Sequence, residues 1–510
     1  MHLRCFTTCL NMRRRLLLPI LITLLAAPVT FGQRISFQGL IMNRHEPRMY
    51  IDNIYLPYID SAKTDLVIGF KIEYDDLTFM KGNPLSSSGT KDNQHFVSNV
   101  QANVEVYRVN PDAMDAFEKW RKETMPMMGN RRPRDRYRRP PSREDIHKLS
   151  RRIANSSNVV ARGNWKGSVT AETYQETQSD KSYLQGYVTV PLDPGMYLYQ
   201  LQLSQPDNNN QDSRTFWRHI RVPDLQKDST SDLMFLETTK DITVPGSFPL
   251  INMGNNAFFG KDFSLLCLLP NYNAEHQYTV HITRLGDNPG DTTSTGSVLQ
   301  KVIPTDQIHN GISITPSTDT TQIFMNLKKS DTPYTYASLR IPNSEFENAM
   351  FRIIVKDSTA NHVIGHMVYQ SRWVDMPTSL YNLNVAIDML KFMMPKSEIK
   401  KQFSGSNQEK EAQFKAFWKK RDPTPNTAYN QLMAEYYRRI DYAYTHFSSM
   451  QTPGYESDQG KIYIKFGPPK SVQREFPPDG PSIVIWNYGN RKFVFQATTG
   501  FGDYKLIKQE

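Results

Sequence analysis

The period of the hydrophobic pattern changes from strand-like to helical at about Thr378 in this chain of 510 residues. Upstream of that point apolar and polar residues alternate, as in "LVIGFKIEY" and "NVEVYRV", which is typical of half-buried antiparallel strands. Downstream, apolar residues first recur every three or four positions, as in a helix. The sequence therefore predicts a mainly β chain with a helical layer in its C-terminal region.

Turn-forming clusters divide the β pattern into separate stretches. The chain is also too long for one core, since a prior of about 150 residues per domain suggests about three domains. "GDNPGDTTSTG" is one such cluster, and Pro194-Gly195 begins a strand with a tight turn. We predict two β-sandwich domains of the Ig-like class, over 33–224 and 225–377. We expect the third domain, over 378–510, to be α+β, with helices packed on an antiparallel sheet.

Helix signals open the third domain. Ser406 and Glu409 have the spacing of a capping box, and Thr424 followed by Pro425 predicts the start of a longer helix. The expected buried stripe of that helix is Leu432, Tyr436, Ile440, Ala443 and Phe447. Four strands should follow, in "KIYIKFG", "SIVIWNYG", "RKFVFQ" and "DYKLI".

The N-terminus has the pattern of a secretory signal over residues 1–32, with Arg13 to Arg15 ahead of an apolar run and small residues before Gln33. The run is too short to span a bilayer as a helix, so we expect export without a transmembrane span in the mature chain. The destination is the periplasm, the outer membrane surface or the exterior. After cleavage only Cys267 remains, and its apolar surroundings predict a buried, unreactive thiol.

Most of the excess positive charge lies in one segment. Residues 111–158 are predicted to be a basic, disordered insertion in the first sandwich, because they have too little apolar content to form a core. The insertion is interpreted as a solvated loop or as a contact for an anionic envelope surface or partner. Export argues against nucleic acid. The loop 131–143 contains seven arginines: Arg131, Arg132, Arg134, Arg136, Arg138, Arg139 and Arg143.

Two blocks near the C-terminus carry a family resemblance: "FWKKRDPTPNTAYNQLMAEYYRRIDYA" over 417–443 and "PGYESDQGKIYIKFGPP" over 453–469. Together they resemble the bacterial GWxTD domain family, which is found chiefly in exported proteins of Bacteroidetes and related phyla. Here Tyr455 stands in place of the family's Trp and Ser457 in place of its Thr, while Gly454 and Asp458 keep the pattern. The resemblance implies an exported protein with β-rich domains upstream, and it implies no specific activity.

The motif admits a catalytic and a structural interpretation. Asp458 could act as a general base, with Ser457 as nucleophile or Arg421 as electrophile, but the sequence places no histidine for that purpose. Alternatively Ser457 and Asp458 bond local N–H groups, Tyr455 packs on the helix, and Gly454 and Gly460 supply backbone freedom. The structural interpretation is favoured, and a binding surface is the next alternative.

The preceding block offers further candidates. Arg421 and Asp422 could bind an anion beside a helix N-terminus, or could form a linker in which Asp422 caps. Glu435 precedes Arg438 and Arg439 at helical pairing distances, which predicts either ordinary surface ion pairs or a network that couples the helix to the motif.

No metal or cofactor is expected. His362 and His366 are four residues apart, but they fall in a predicted strand, where that spacing separates them by about 13 Å. The favoured function is a non-enzymatic envelope protein that contacts a protein partner or supports assembly. The alternatives are an envelope hydrolase with a site around Asp458 and Arg421 or Glu435, and a polyanion-binding protein acting through the loop 131–143.

Overall fold

The structure is a computed structural model. It describes residues 36–42, 49–58, 62–82, 95–109, 148, 150–151, 154, 158–179, 181–206, 213–238, 240–286, 294–450, 452–478, 480–498 and 503–510. The chain is mainly β, with several antiparallel sheets and a C-terminal region of helices and one sheet. This confirms the predicted fold class at that level. The predicted signal segment 1–32 and the arginine-rich loop 131–143 lie outside the described residues.

The described part of the first β unit contains two antiparallel sheets, of order β1-β2-β6 and β3-β4-β7-β8, with β5 paired to β4. Their facing sides form one core, to which Phe70 of β2, Val104 of β4 and Leu201 of β7 contribute. Val104 and Leu201 alternate with polar residues along β4 and β7, as the sequence predicted, whereas the middle of β2 is buried on both faces. The strands are β1 Met49–Pro57, β2 Thr64–Glu73, β3 Met80–Gly82, β4 His95–Arg108, β5 Val159–Ala171, β6 Tyr183–Leu192, β7 Gly195–Ser204 and β8 Ser213–Val222.

The second β unit contains three sheets, of order β10-β17-β16, β15-β18-β12-β9 and β11-β20-β19-β13-β14. All pairs are antiparallel except β11 with β20. The strands are β9 Leu233–Leu236, β10 Gly246–Pro249, β11 Asn256–Phe258, β12 Phe263–Leu268, β13 Tyr278–Leu285, β14 Ser294–Val302, β15 Ile308–Asn310, β16 Ile312–Thr318, β17 Ile323–Lys329, β18 Thr335–Ile341, β19 Met350–Asp357 and β20 His362–Arg372.

The two β units pack against each other through a core of their own. Val67 of β2 joins Leu266 of β12 and Met325 of β17 in this shared core, whereas the neighbours of Val67 in β2 face the first unit's core. Strand β12 also has both faces buried, since Cys267 points into the second unit's core. The alternating pattern predicted half-buried strands, so the packing of one unit on the other was not visible in it.

In its described residues the C-terminal region contains five helices and one antiparallel sheet of order β21-β22-β23-β24. The short α1 and α2 precede these helices in the chain. The capping box is confirmed, because Ser406 and Glu409 bond each other's backbone N–H groups. The helices are α1 Phe37–Met42, α2 Tyr174–Thr177, α3 Leu383–Met389, α4 Lys396–Gln402, α5 Asn407–Lys419, α6 Gln431–Phe447 and α7 Asp458–Phe466, and the strands are β21 Ser471–Glu475, β22 Ile483–Asn487, β23 Lys492–Ala497 and β24 Tyr504–Gln509.

The start of α6 differs from the prediction. The helix begins after Asn430, whose side chain accepts a hydrogen bond from the Met433 N–H (2.9 Å) and donates one to the Trp418 carbonyl (2.8 Å). Thr424 and Pro425 lie in the preceding turn and do not begin the helix. The cap of α6 is Asn430, because its side chain bonds both the first turn of α6 and the end of α5. Leu432 is 46% exposed and does not belong to the buried stripe, whereas Tyr436, Ile440 and Ala443 do.

The prediction that "KIYIKFG" is a strand was wrong, since these residues lie in helix α7. Ile462, Ile464 and Phe466 alternate as in a strand, whereas Lys461 and Lys465 have the i, i+4 spacing of one helix face, so the period of this short run was ambiguous. Ser457 caps the helix at its start, and Gly467, with φ of 78°, ends it in a backbone conformation that favours glycine. Strand β21 takes the first place in the sheet instead. No helix in the described part of the chain is long and apolar enough to cross a membrane.

Candidate functional site

The motif forms a sharp corner between α6 and α7. Residues Gly454–Glu456 make one 3-10 turn, and the Ser457 hydroxyl accepts a hydrogen bond from the Gly460 N–H (2.9 Å) while it donates one to the Gly454 carbonyl (2.7 Å). The hydroxyl therefore stabilises the start of α7 from both sides of the turn. A nucleophilic serine needs a base as its hydrogen-bond partner, and the described partners of Ser457 are backbone groups.

Gly454 and Gly460 allow a close backbone approach. A Cβ on Gly454 would lie 1.9 Å from the Ala443 carbonyl oxygen in α6, and a Cβ on Gly460 would lie 1.8 Å from the Gly454 carbonyl oxygen. Neither glycine is among the described residues with positive φ. The expected role of backbone freedom is therefore corrected: the two positions need the absence of a side chain, because α6, the turn and α7 touch there.

Asp458 has a distant partner. Its Oδ2 accepts a hydrogen bond from the Leu506 N–H at 3.0 Å, which links the first turn of α7 to β24. A carboxylate in the first turn of a helix also interacts favourably with the helix dipole. The sequence had assigned Asp458 to local N–H groups, so the structure replaces a local turn bond with a bond between the helix and the sheet.

Tyr455 lies among aromatic rings from three separate parts of the chain. Its ring centroid is 5.3 Å from that of Phe37 in α1, 6.1 Å from Tyr444 in α6 and 6.3 Å from Phe392. Burial, with smaller effects of Glu456 and Tyr444, raises the pKa of Tyr455 above its usual range. The predicted packing on the helix is present, and Phe37 is an additional contact that the sequence did not indicate.

A charged pair lies at the edge of this aromatic cluster. The Lys391 ammonium group pairs with the Glu456 carboxylate, and it lies 5.2 Å from the centre of the Tyr455 ring. Both side chains are partly exposed. The edge of the cluster is thus charged, whereas its centre is apolar.

The two arginines of α6 have different partners. Arg439 pairs with Glu435 (2.7 Å) and extends towards the Ile464 carbonyl near the end of α7 (3.4 Å), which couples α6 to the motif helix. Arg438 instead donates to Asp375 (2.7 Å) and to the Tyr429 hydroxyl (2.8 Å). Glu435 and Arg439 therefore form an ordinary i, i+4 pair, one of the two alternatives from the sequence, with one further bond from Arg439 to α7, whereas Arg438 connects α6 to the segment after β20.

Arg421 and Asp422 lie in the turn that follows α5. Arg421 donates to the Phe417 carbonyl (2.9 Å) and lies over the Phe417 ring, 3.8 Å from its centre. Asp422 accepts from the Thr424 N–H (2.9 Å), as a linker residue does. Among the described residues Arg421 contacts Phe417 and Asp458 contacts Leu506, so the catalytic pair considered from the sequence is not assembled.

Other candidate residues are also accounted for. His362 lies at the start of β20, in the region predicted to be a strand. Its imidazole hydrogen-bonds to the Ser229 carbonyl (2.9 Å). Cys267 is buried, and burial raises the pKa of its thiol to about 12. Within the described ranges no group of three or more His, Cys, Asp or Glu side chains could hold a metal ion.

A cavity of about 500 Å³ lies at the junction of the two β units and is lined in part by Tyr55, Asp232 and His366. Asp232 accepts a hydrogen bond from the Tyr55 N–H (2.8 Å), and burial raises the pKa of its carboxyl to about 6. No sequence signal pointed to this residue, because the partner is 177 positions away.

The C-terminal region is thus defined by helices packed on a small antiparallel sheet around a glycine-rich corner. Residues 350–509 match the family model described as GWxTD domain, and this chain carries that domain, as the two sequence blocks predicted. The match begins at the first residue of β19, upstream of the predicted boundary at 378, so the boundary remains a prediction.

Comparisons with solved structures found distant similarities. One is a crystal structure of a Salmonella alpha-2-macroglobulin mutant, with 10% identity and a TM-score of 0.13, covering 64% of this chain and 17% of that chain. Another is the type II cohesin dyad of the ScaA scaffoldin of Acetivibrio cellulolyticus, with 10% identity and a TM-score of 0.13, covering 63% of this chain and 93% of that one. No curated protein sequence matched.

Proposed function

We propose that this chain is an exported, non-enzymatic protein of the cell envelope whose GWxTD domain binds a protein partner through an open sheet edge. The N-terminal signal pattern supports export to the periplasm or beyond. The two β units, which we propose to be Ig-like sandwiches, would act as the support that presents the GWxTD domain.

Strand β21 carries this proposal. All five of its residues are exposed, and it ends next to Phe476, which is 75% exposed. It pairs with β22 on one side, and no described strand pairs with its other side. An exposed edge with apolar side chains is the geometry to which a partner adds a strand.

The opposite edge of the same sheet is different. At β24 the outward Leu506 N–H is already bonded to the Asp458 side chain. The motif corner therefore occupies one outward N–H group of β24, whereas β21 stays available. This contrast supports an interaction role for the domain, with the motif acting as its internal support.

The motif chemistry favours binding over catalysis. Ser457 and Asp458 use their polar atoms for backbone N–H and C=O groups, and Arg421 contacts Phe417 instead of the motif. A hydrolase would need a base and a charge-stabilising group near one nucleophile. Among the described residues around the motif, the polar side chains form structural hydrogen bonds instead of such a catalytic group.

Affinity capture of the mature protein from its own envelope fraction tests this proposal. The chain with both Val472→Lys and Phe476→Lys should lose a partner that the unaltered chain captures, because lysine on an edge strand opposes pairing. The matched control is Val298→Lys with Val302→Lys on β14, another exposed edge strand outside the proposed contact. Equal capture by the β21 variant, or no partner at all, would contradict the proposal.

A further inference from the structure

The N-terminal helix α1 lies on the GWxTD domain, although the next described strand, β1, belongs to the first β unit. Phe37 is only 2% exposed. Its ring meets those of Tyr444 and Tyr455 edge-on, with centroid distances of 5.1 Å and 5.3 Å. Leu40, one helical turn later, packs in the same core. The motif aromatic Tyr455 thus helps to form a receptor surface for a short helix.

We call this surface the motif groove and define it by Leu380, Tyr444 and Tyr455. Its centre is apolar, and the Lys391–Glu456 pair lies at its edge. An apolar centre with a charged edge is the usual arrangement of a groove that binds one face of an amphipathic helix. The residues that enter it, Phe37 and Leu40, have the i, i+3 spacing of such a face.

The described contacts of α1 with the GWxTD domain are apolar. Helix α1 has six residues, too few for an isolated helix to be stable in water. Its described polar contacts are internal, since Ser36 accepts from the N–H groups of Gly39 (3.2 Å) and Leu40 (3.1 Å). For the described side chains of 36–40, no hydrogen bond or ion pair to the GWxTD domain is present. A helix that offers the same two apolar side chains can therefore replace residues 36–40 without breaking a polar link of their described side chains.

We propose that the motif groove is a helix-binding site, filled in the resting chain by residues 36–42. Its partner carries a short amphipathic helix with an aromatic residue in the first turn and an aliphatic residue three positions later. The inference rests on the proposed interaction function. It concerns a different surface from β21, so the experiments can disprove binding at one surface without disproving binding at the other.

The test uses a fluorescent peptide of residues 33–45 and the purified mature chain. Phe37→Ala in the chain should open the groove, because the side chain that fills it is removed. The peptide should then bind this variant about tenfold more tightly than the unaltered chain, as measured by fluorescence anisotropy. The matched control is Gln38→Ala, an exposed residue of the same helix, which should leave the groove filled.

Two further measurements make the result specific. A peptide that itself carries Phe37→Ala should bind the opened chain about tenfold more weakly. The chain with Val472→Lys, Phe476→Lys and Phe37→Ala should bind the peptide as well as the Phe37→Ala chain does, even if the edge-strand proposal fails. If Phe37→Ala prevents cooperative folding, Leu40→Ala weakens the same contact and replaces it. Equal binding by opened and unaltered chains, or by both peptides, would overturn the proposal.

Discussion

The carboxylate of Asp458 accepts a hydrogen bond from the backbone N–H of Leu506, 48 positions further along the chain, at 3.0 Å. This bond joins the start of the motif helix to the last strand of the sheet. It gives the acidic residue of the motif a structural partner, and it covers an N–H group on one edge of the sheet.

Replacing Asp458 should therefore affect stability first. Asp458→Ala leaves a part-buried N–H without its partner, which should lower the free energy of unfolding by about 1–3 kcal/mol. Asp458→Asn can still accept the bond and should lose less. Urea unfolding of the mature chain, followed by fluorescence, measures both variants. Normal unfolding of Asp458→Ala combined with loss of a cellular phenotype would instead support a chemical role for the carboxylate.

The two motif glycines should not tolerate alanine. In Gly454→Ala the new Cβ would overlap the Ala443 carbonyl, and in Gly460→Ala it would overlap the Gly454 carbonyl, so the backbone must move. Each change should lower the free energy of unfolding by about 3 kcal/mol or more. Gly480→Ala is the matched control, because its Cβ would meet only Pro477, at 3.6 Å. Melting temperatures equal to that of the control would disprove the close approach.

The Asp232 carboxyl should make stability depend on pH. Burial raises the pKa of this group from 3.8 to about 6, so the folded chain holds the proton more tightly than the unfolded chain does. Ionisation of Asp232 therefore costs stability progressively as the pH rises from about 4 to 6, and the full cost is present at neutral pH. Asp232→Asn should be more stable than the unaltered chain by about 2 kcal/mol near pH 7.5, with little gain near pH 4.

Asp357 provides the opposite case for the same experiment. Burial pulls its pKa upward, but hydrogen bonds from the Ala360 N–H (2.9 Å), His276 (2.7 Å) and the Thr359 N–H (3.0 Å) outweigh it and lower the pKa. The ionised Asp357 carboxylate therefore stabilises the folded chain at any pH above the pKa that it has in the unfolded chain. This stabilisation is lost only as the pH falls through the lower pKa of the folded chain. Asp357→Asn should therefore lower the free energy of unfolding at neutral pH. This is opposite in sign to the increase expected for Asp232→Asn.

Cys267 should be unreactive in the folded protein. The side chain is fully buried, and burial raises the pKa of the thiol to about 12, so both access and thiolate formation are suppressed. A thiol reagent such as DTNB should label the mature chain near pH 8 only after unfolding in guanidinium chloride. Rapid labelling of the folded chain would show that the surrounding core opens readily.

Much of the architecture could be predicted from local patterns. The alternation in "LVIGFKIEY" predicted β2, and the Ser406–Glu409 spacing predicted the start of α5. These predictions succeeded because the signal depends on residues a few positions apart. The start of α6 failed, since Asn430 also bonds the preceding helix, and that bond involves the Trp418 carbonyl, 12 positions away.

The motif shows the same division. The sequence identified Gly454, Ser457, Asp458 and Gly460 as a corner, and the corner is there. It did not reveal that the following run is a helix, because in "KIYIKFG" the apolar residues alternate as in a strand while Lys461 and Lys465 have the i, i+4 spacing of one helix face. The bond between Asp458 and Leu506 and the ring contact between Phe37 and Tyr455 join residues far apart in the chain, so no periodic pattern in the sequence indicates them.

The sequence by itself determined which segments alternate, where the helical region begins, that Cys267 is buried and that a GWxTD domain is present, since each depends on local composition or spacing. The tertiary structure decided how the two β units share a core, which edge of the last sheet the motif covers and what fills the motif groove. Those relationships join residues that are distant in the chain, so they arise only when the packed surfaces select one arrangement.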